Sequence, residues 1–386
     1  MSTPFNVPAT VLCGAGVVHE LAPQLRRLGA ARILLVTDEF LVHAGVAPRM
    51  VAALIQDGLA VEVFSGVQPD PTEQNVLDGL ARYQGFRAEA VVALGGGSPI
   101  DCAKAIAMLA RNPTPLSRYM GRDKVPRAGA PLVAIPTTAG TGSEVTKAAV
   151  ITDTTNDVKM LLMDPYLVPT VALVDYELTL SMPRPLTAAV GVDTLTHGIE
   201  AYVSRRAGPV TDPLALACIG QVAAHLETAW REPANRAARE GMMIAAMQGG
   251  MAFANSSVCL VHGMSRPLGA LFHVPHGISN AMLLPAVTRF SLPGARARYA
   301  TVARTMGWAT ASESDTAAAE ALVTGLEGLN RRLEIPRLRG DPRMEEGKFL
   351  RLLEKMAGDA LASGSPQNNP VVPTASEIVE LYRTAW

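Results

Sequence analysis

A chain of 386 residues is long for one compact core, so two domains are the first expectation. Apolar residues make up 48% of it and charged residues only 18%, a balance that suits a large buried interior extended by a subunit interface. The formal charge of −1, with no basic run, gives nucleic acid and anionic membrane no electrostatic hold, and neither is expected as a partner.

The opening "MSTPFNVPAT" lacks the basic start and clean apolar core of a signal peptide, and Cys13, Cys102, Cys218 and Cys259 are scattered without a CxxC pair. A cytoplasmic protein is expected. "GAGVVH", Gly14 to His19, half-matches a dinucleotide fingerprint, but His19 stands where the third glycine belongs, and a tight turn is the better reading. Five continuous apolar runs follow: "RILLVTD" (32–38), "AVEVFSG" (60–66), "AVVALGGG" (90–97), "PLVAIPTT" (131–138) and "TVALVD" (170–175). Such runs suit strands buried on both faces. Helical patterns such as "VAPRMVAALIQDG" and "PTEQNVLDGLARYQ" lie between them, and this alternation predicts a parallel α/β sheet. Asp38 closes the first run. Its carboxylate either accepts hydrogen bonds from an adenosine ribose, which favours NAD over NADP, or caps the next helix.

Two glycine-rich loops end buried strands. In "ALGGGSPIDCAK" (93–104), Gly95, Gly96 and Gly97 allow close backbone approach, and Pro99 suits the first turn of a helix whose N–H groups can hold a phosphate. "IPTTAGTGSEVT" (135–146) adds the hydroxyls of Thr137, Thr138, Thr141 and Ser143. Each alone reads equally well as a tight connection. Two at strand ends favour a nucleotide site, and the missing GK[ST] points to a dinucleotide rather than ATP.

Beyond residue 180 the strand signals stop. Pro183 and Pro185 punctuate, and helical windows follow at 186–203, 211–230 and 234–253 and onward, with "TASE" (374–377) a capping box for the last helix. The division is therefore expected at 1–180 and 181–386. The uncharged run of residues 241–261, with Gln248, Asn255 and a Gly-Gly pair, reads as a buried helix ended by His262.

"VDTLTHGIEAY" (192–202) sets Asp193 and His197 one helical turn apart in mostly apolar surroundings, where buried polar groups need partners. "VHGMSRPLGALFHVPHG" brings His262, His273 and His276. Asp193, His197, His262 and His276 together make an oxygen–nitrogen donor set that suits Fe²⁺ or Zn²⁺. A cation beside a dinucleotide domain implies Lewis-acid activation of a substrate alcohol. His19, His43 and His225 lie outside this region and are read as ordinary histidines.

In order and spacing, "GGGSPIDCAK", "TTAGTGSEVT", "GVDTLTHGIEAY", "VHGMSRPLGA" and "HVPHG" resemble the iron-containing (group III) alcohol dehydrogenase family over essentially the full chain. The resemblance implies an N-terminal α/β dinucleotide-binding domain with a parallel sheet, an all-α C-terminal domain, a metal in the cleft between them, and commonly a homodimer. It places the metal ligands on Asp193, His197, His262 and His276. Its nucleotide contacts fall on Asp38, Gly95, Gly96, Gly97, Ser98, Asp101, Thr137, Thr138 and Ser143, with Asp70 in "PDPT" and Lys159 in "VKMLLMDP" as further cofactor contacts. The activity implied is reversible NAD(H)-linked oxidation of a small alcohol to an aldehyde or ketone, with Phe253 and Phe272 lining the pocket or forming plain core.

One departure stands out. The family often reads HGMxHPLG, and here Arg266 replaces the second histidine. A guanidinium is no ordinary general acid or base. The expectations for Arg266 are that it binds an anionic end of the substrate, that it tunes the cleft, or that it turns away to pair with a carboxylate. Either His273 or water then carries the proton. The rival readings are a sugar-phosphate or maleylacetate-type enzyme of the same superfamily, and a non-catalytic metal- or nucleotide-binding protein.

Overall fold

All five apolar runs fold into one sheet in the computed structural model, which describes residues 4–156 and 158–386. The strands are β1 (Thr10–Cys13), β2 (Arg32–Val36), β3 (Ala60–Phe64), β4 (Ala90–Gly95), β5 (Gly121–Arg122), β6 (Leu132–Pro136), β7 (Ala148–Asp153), β8 (Val158–Met163) and β9 (Val171–Val174). Six of them make a fully parallel sheet in the order β1-β9-β6-β4-β2-β3. Helices α1 (Leu21–Arg27), α2 (Glu39–His43), α3 (Val46–Gln56), α4 (Glu73–Phe86) and α5 (Gly97–Leu109) fill the connections.

The strands read as unbroken apolar runs because alternate residues feed two cores. Val91 and Ala93 enter one core with Ile100 and Ile106 of α5, while Ala90, Val92 and Leu94 enter the other with Leu21 and Leu25 of α1. Four strands escaped the sequence reading, among them β5, only two residues long. β1 is four residues long and only half-buried. β7 and β8 form an antiparallel pair whose residues alternate between buried and more open positions, so neither presents a continuous apolar run.

The chain divides into two compact units, one ending at Thr179 and one spanning Leu180–Trp386. The second is built from α6 (Arg184–Val203), α7 (Thr211–Arg231), α8 (Arg236–Asn255), α9 (Leu260–Phe272), α10 (His276–Thr305), α11 (Asp315–Arg332), α12 (Glu346–Ala362) and α13 (Ala375–Ala385), with no strand among the described residues. From Thr187 to Val203 every residue of α6 except Val190 is buried, which makes α6 the central helix of this unit. Arg239 of α8, only 1% exposed, ties α6 in place by donating to Thr187 Oγ1, Met182 O and Pro233 O. The capping box expected at Thr374 is present.

The uncharged run departs from expectation. It does not stay one helix to His262; it breaks at Ser256–Cys259, and α8 and α9 meet at a bend of 103°. The cause is a buried carboxylate. Glu200 of α6 takes the N–H groups of Cys259 and Val261, both at 2.7 Å, and so starts a new helix in which His262 is the third residue. No single helix among the described residues is long and apolar enough to cross a bilayer.

In the first unit a buried lysine holds the second glycine loop. Lys104 of α5 donates to Ser143 Oγ (2.9 Å), Thr146 Oγ1 (2.9 Å) and Ala148 O (2.7 Å). Ser143 Oγ donates in turn to Asp101 Oδ1 (2.6 Å), and Val150 N–H donates to Asp101 Oδ2 (2.9 Å). Burial pulls the Lys104 pKa down to about 8 against the opposite pull of Asp101 and Glu144. Lys104→Met leaves Asp101 and Thr146 without this partner, and the expected cost is about 3 kcal/mol. Urea denaturation measures it; an unchanged midpoint would show that the network does not hold the loop.

Candidate functional site

The polypeptide runs from β2 to β3 on one side and returns to β4 on the other, so the order of the sheet reverses between β2 and β4. The crevice at the carboxyl ends of such a pair is where open α/β sheets bind ligands. Asp38 stands at the end of β2 and Gly95, Gly96 and Gly97 at the end of β4. Gly95 has φ +154°, and a Cβ there would meet Pro99 at 2.5 Å, so no other residue fits without displacement. A Cβ on Gly97 would lie 3.0 Å from Thr141, and Thr137 N–H donates to Gly95 O at 3.0 Å. The two glycine-rich loops are therefore packed side by side, with Ser98 and Thr138 half-buried on them.

Several expected cofactor contacts have protein partners. Asp38 Oδ1 accepts from Leu41 N–H at 2.9 Å and caps α2. Asp101 and Ser143 are bonded to each other within the Lys104 network. Asp70, in a left-handed conformation with φ 56°, pairs with Lys159 at 2.8 Å.

In the second unit Asp193, His197 and Glu200 share one face of α6, at spacings of four and three residues. Asp193 Oδ1 is the hub. His262 Nε2 lies 3.8 Å from it, His276 Nε2 3.9 Å and His197 Nε2 4.0 Å. The donor atoms of Asp193, His262 and His276 all fall within 4.8 Å of one another. His197 stands beside them, its ring stacked between His262 (4.8 Å) and Phe253 (4.3 Å). Phe253 reaches this position from α8, where Gly249, one turn earlier, lets the backbone come close to His197 Cβ and Cys218.

Two relays decide which imidazole nitrogen faces the hub. His262 Nδ1–H donates to Glu200 Oε2 at 2.6 Å, and that carboxylate already accepts two backbone N–H groups. Its role as acceptor fixes the proton on Nδ1 and leaves Nε2 with a bare lone pair. His276 Nδ1–H donates to Ser265 Oγ (3.1 Å), Ser265 to Ser279 Oγ (2.6 Å), and Ser279 to His276 O (2.9 Å). His276 is thus presented in the same tautomer. Desolvation, with the neighbouring imidazoles and Arg266, pushes its pKa down to about 3 against the pull of Asp193. The ring keeps one edge open, since 48% of the side chain is exposed, while Nε2 points into the cluster.

The donor set fits a divalent cation. Asn280, fully buried, directs Nδ2 at Asp193 Oδ1 (2.6 Å), His262 Nε2 (3.3 Å) and His276 Nε2 (3.2 Å). Two amide hydrogens cannot serve three acceptors, and Asn280 Oδ1 is buried without a partner. A cation about 2.1 Å from each donor supplies the missing positive charge and needs donors roughly 3.4 Å apart, so the donors, now up to 4.8 Å apart, draw together around it. The oxygen–nitrogen ligands suit Fe²⁺ or Zn²⁺.

Other expected residues lie elsewhere. His273 ends α9 in a left-handed conformation, φ 56°, exposed and outside the cluster. Phe272 is buried with Lys348 over its ring, which makes it core. Arg266 meets no carboxylate within 4 Å among the described residues; Nη1 donates to Ser363 O at 3.3 Å. Glu200, Ser265, Ser279 and Asn280 were not singled out from sequence. Helical spacing carried a signal for all four, since Glu200 follows His197 by three, Ser265 follows His262 by three, and Ser279 and Asn280 follow His276 by three and four.

Residues 8–176 match the family described as iron-containing alcohol dehydrogenase, and residues 187–386 match the C-terminal part of the Fe-containing alcohol dehydrogenase family. The chain is 37% identical to the NAD-dependent methanol dehydrogenase of Bacillus methanolicus, covering 99% of this chain and 100% of that one. It is 37% identical to the lactaldehyde reductase of Escherichia coli K12, covering 98% of each. Its fold superposes on a crystal structure of 1,3-propanediol oxidoreductase with a TM-score of 0.97 at 35% identity, covering 100% of both chains.

If Glu200 sets the His262 tautomer, Glu200→Gln weakens cation binding about 10- to 100-fold, because its amide nitrogen faces a donor. Competition with a chromophoric chelator measures this without any turnover. Wild-type affinity in the variant would remove Glu200 from the site.

Proposed function

Because the chain belongs to the iron-containing alcohol dehydrogenase family, we infer that it is a metal-dependent enzyme that moves hydride reversibly between NAD(H) and a small alcohol or aldehyde. The observation that carries this reading is the convergence of two bare imidazole nitrogens on the Asp193 carboxylate. Asp193, His197, His262 and His276 would hold the cation. Bound there, a divalent cation supplies Lewis acidity to the substrate oxygen, which stabilises charge as hydride moves.

The chain's own groups have separate tasks. Glu200 and the Ser265–Ser279 pair keep the ring protons away from the cation side. Phe253 covers one face of His197 and keeps water from it. Gly95, Gly96, Gly97 and Ser98 at the start of α5, with Thr137 and Thr138 beside them, are assigned to the NAD phosphates, and Asp38 at the end of β2 to the adenosine ribose. Asp101 and Ser143 support that site by fixing the second loop. Asp70 and Lys159 are assigned to the cofactor as an ion pair that opens toward it. His273, exposed three residues before His276, is assigned to proton exchange with water.

A homodimer in the cytoplasm is part of the same proposal. The apolar excess supports an interface, and the four cysteines, without a disulfide among the described residues, suit a reducing compartment.

The test is NADH consumption with short aldehydes by protein stripped with a chelator and reloaded anaerobically with Fe²⁺ or Zn²⁺. Stripping is expected to remove at least about 100-fold of the rate and reloading to restore it. Turnover indifferent to the cation, or none with any aldehyde or alcohol, would overturn the reading.

A further inference from the structure

Arg266 has a chemistry that the dehydrogenase reading leaves unused. It follows His262 by four residues on α9, so it stands one helical turn, about 6 Å, along the face that presents His262 to Asp193. It is only partly exposed to solvent and pairs with no carboxylate among the described residues. Its side chain is half-buried, and its protein acceptor is the neutral Ser363 carbonyl at 3.3 Å.

The other sequestered arginines of this unit have partners. Arg239 donates to three oxygens, and Arg298 pairs with Asp212. A guanidinium has five N–H donors in a planar fork that matches an oxyanion. Glu200, the carboxylate whose field reaches Arg266, is not its partner, because its oxygens are taken by His262, Cys259 and Val261. The expectation that Arg266 turns away to a carboxylate is therefore not met.

The charge balance points the same way. Asp193 and Glu200 are the carboxylates of this cluster. Against them stand the guanidinium and a divalent cation, which leaves an excess of positive charge. An anionic group on the substrate neutralises it.

We propose that Arg266 is the subsite for an anionic group on the substrate, so that this enzyme acts on short aldehydes and alcohols carrying a carboxylate, sulfonate or phosphonate. The proposal rests on the dehydrogenase reading and adds the substrate class to it. One helical turn between His262 and Arg266 sets the reach at about two to four carbons between the reacting oxygen and the anion.

The experiment compares kcat/KM for chain-matched pairs, 4-oxobutanoate against butanal and sulfoacetaldehyde and phosphonoacetaldehyde against propanal. It is run with the metal-loaded wild type and with Arg266→Gln, Arg266→Lys and Arg266→His. The wild type is expected to favour at least one acidic aldehyde, and the preferred one identifies the anion. Arg266→Gln and Arg266→His lower the acidic-to-neutral ratio about 10- to 100-fold, mainly through KM, and Arg266→Lys keeps part of it. Calorimetric titration of the NAD-loaded wild type and Arg266→Gln with 4-hydroxybutanoate gives the same contrast without turnover. Neutral aldehydes turned over at least as well as every acidic one, or a ratio unmoved in Arg266→Gln, would overturn this proposal and leave the dehydrogenase reading standing. No NADH consumption with any aldehyde would instead overturn the dehydrogenase reading, and this one with it.

Discussion

The second unit depends on one buried carboxylate. Glu200, 3% exposed, gathers the Cys259 and Val261 N–H groups and the His262 imidazole within 2.7 Å. Charge-assisted hydrogen bonds of this length are among the stronger ones in a protein, and burial makes losing any of them costly. Each bond does something different. The two backbone bonds end the uncharged stretch as a continuous helix and turn the chain by 103° into α9. The third sets the tautomer of the imidazole which that turn has just delivered. Fold and site chemistry are thus joined in one side chain of α6, whose next two turns back hold His197 and Asp193.

Legibility in the sequence followed burial symmetry. Strands that feed two cores gave unmistakable apolar runs, and β2, β3, β4, β6 and β9 were found within a residue or two of their ends. β7 and β8, with one face more open, gave no continuous apolar run to find. The helices of the second unit were visible from period and proline placement, but the α8–α9 break was not. Nothing local forbids a helix through "SSVCLV"; a side chain sixty residues earlier does. Long-range capture of this kind leaves no mark in a window of sequence.

The same contrast holds at the site. Titratable residues announce themselves by type, and Asp193, His262 and His276 were legible because aspartate and histidine are rare in apolar surroundings. The groups that make them usable were not. Ser265, Ser279 and Asn280 are common residues whose roles come from orientation, and a helical spacing of three or four from a histidine is a weak signal among so many helices. Asp101 and Ser143 have a second role that the sequence did not show. The family resemblance placed cofactor contacts on them, and in the fold they also hold the loop through Lys104.

Rigidity explains why the polar groups sit where they do. Asp193, His262 and His276 come from three different helices, so the donor set exists only when α6, α9 and α10 are packed together. A cation binding there stabilises that packing as well as the site, since it binds the folded arrangement alone. Arg266 adds a positive charge one turn from the same lone pairs, and a charge so placed works against cation binding unless an anion offsets it. A neutral imidazole at that position would carry no such cost. A substrate that brings negative charge would offset the arginine beside a divalent cation, and that balance would link the metal, the guanidinium and an acidic substrate in a single electrostatic argument.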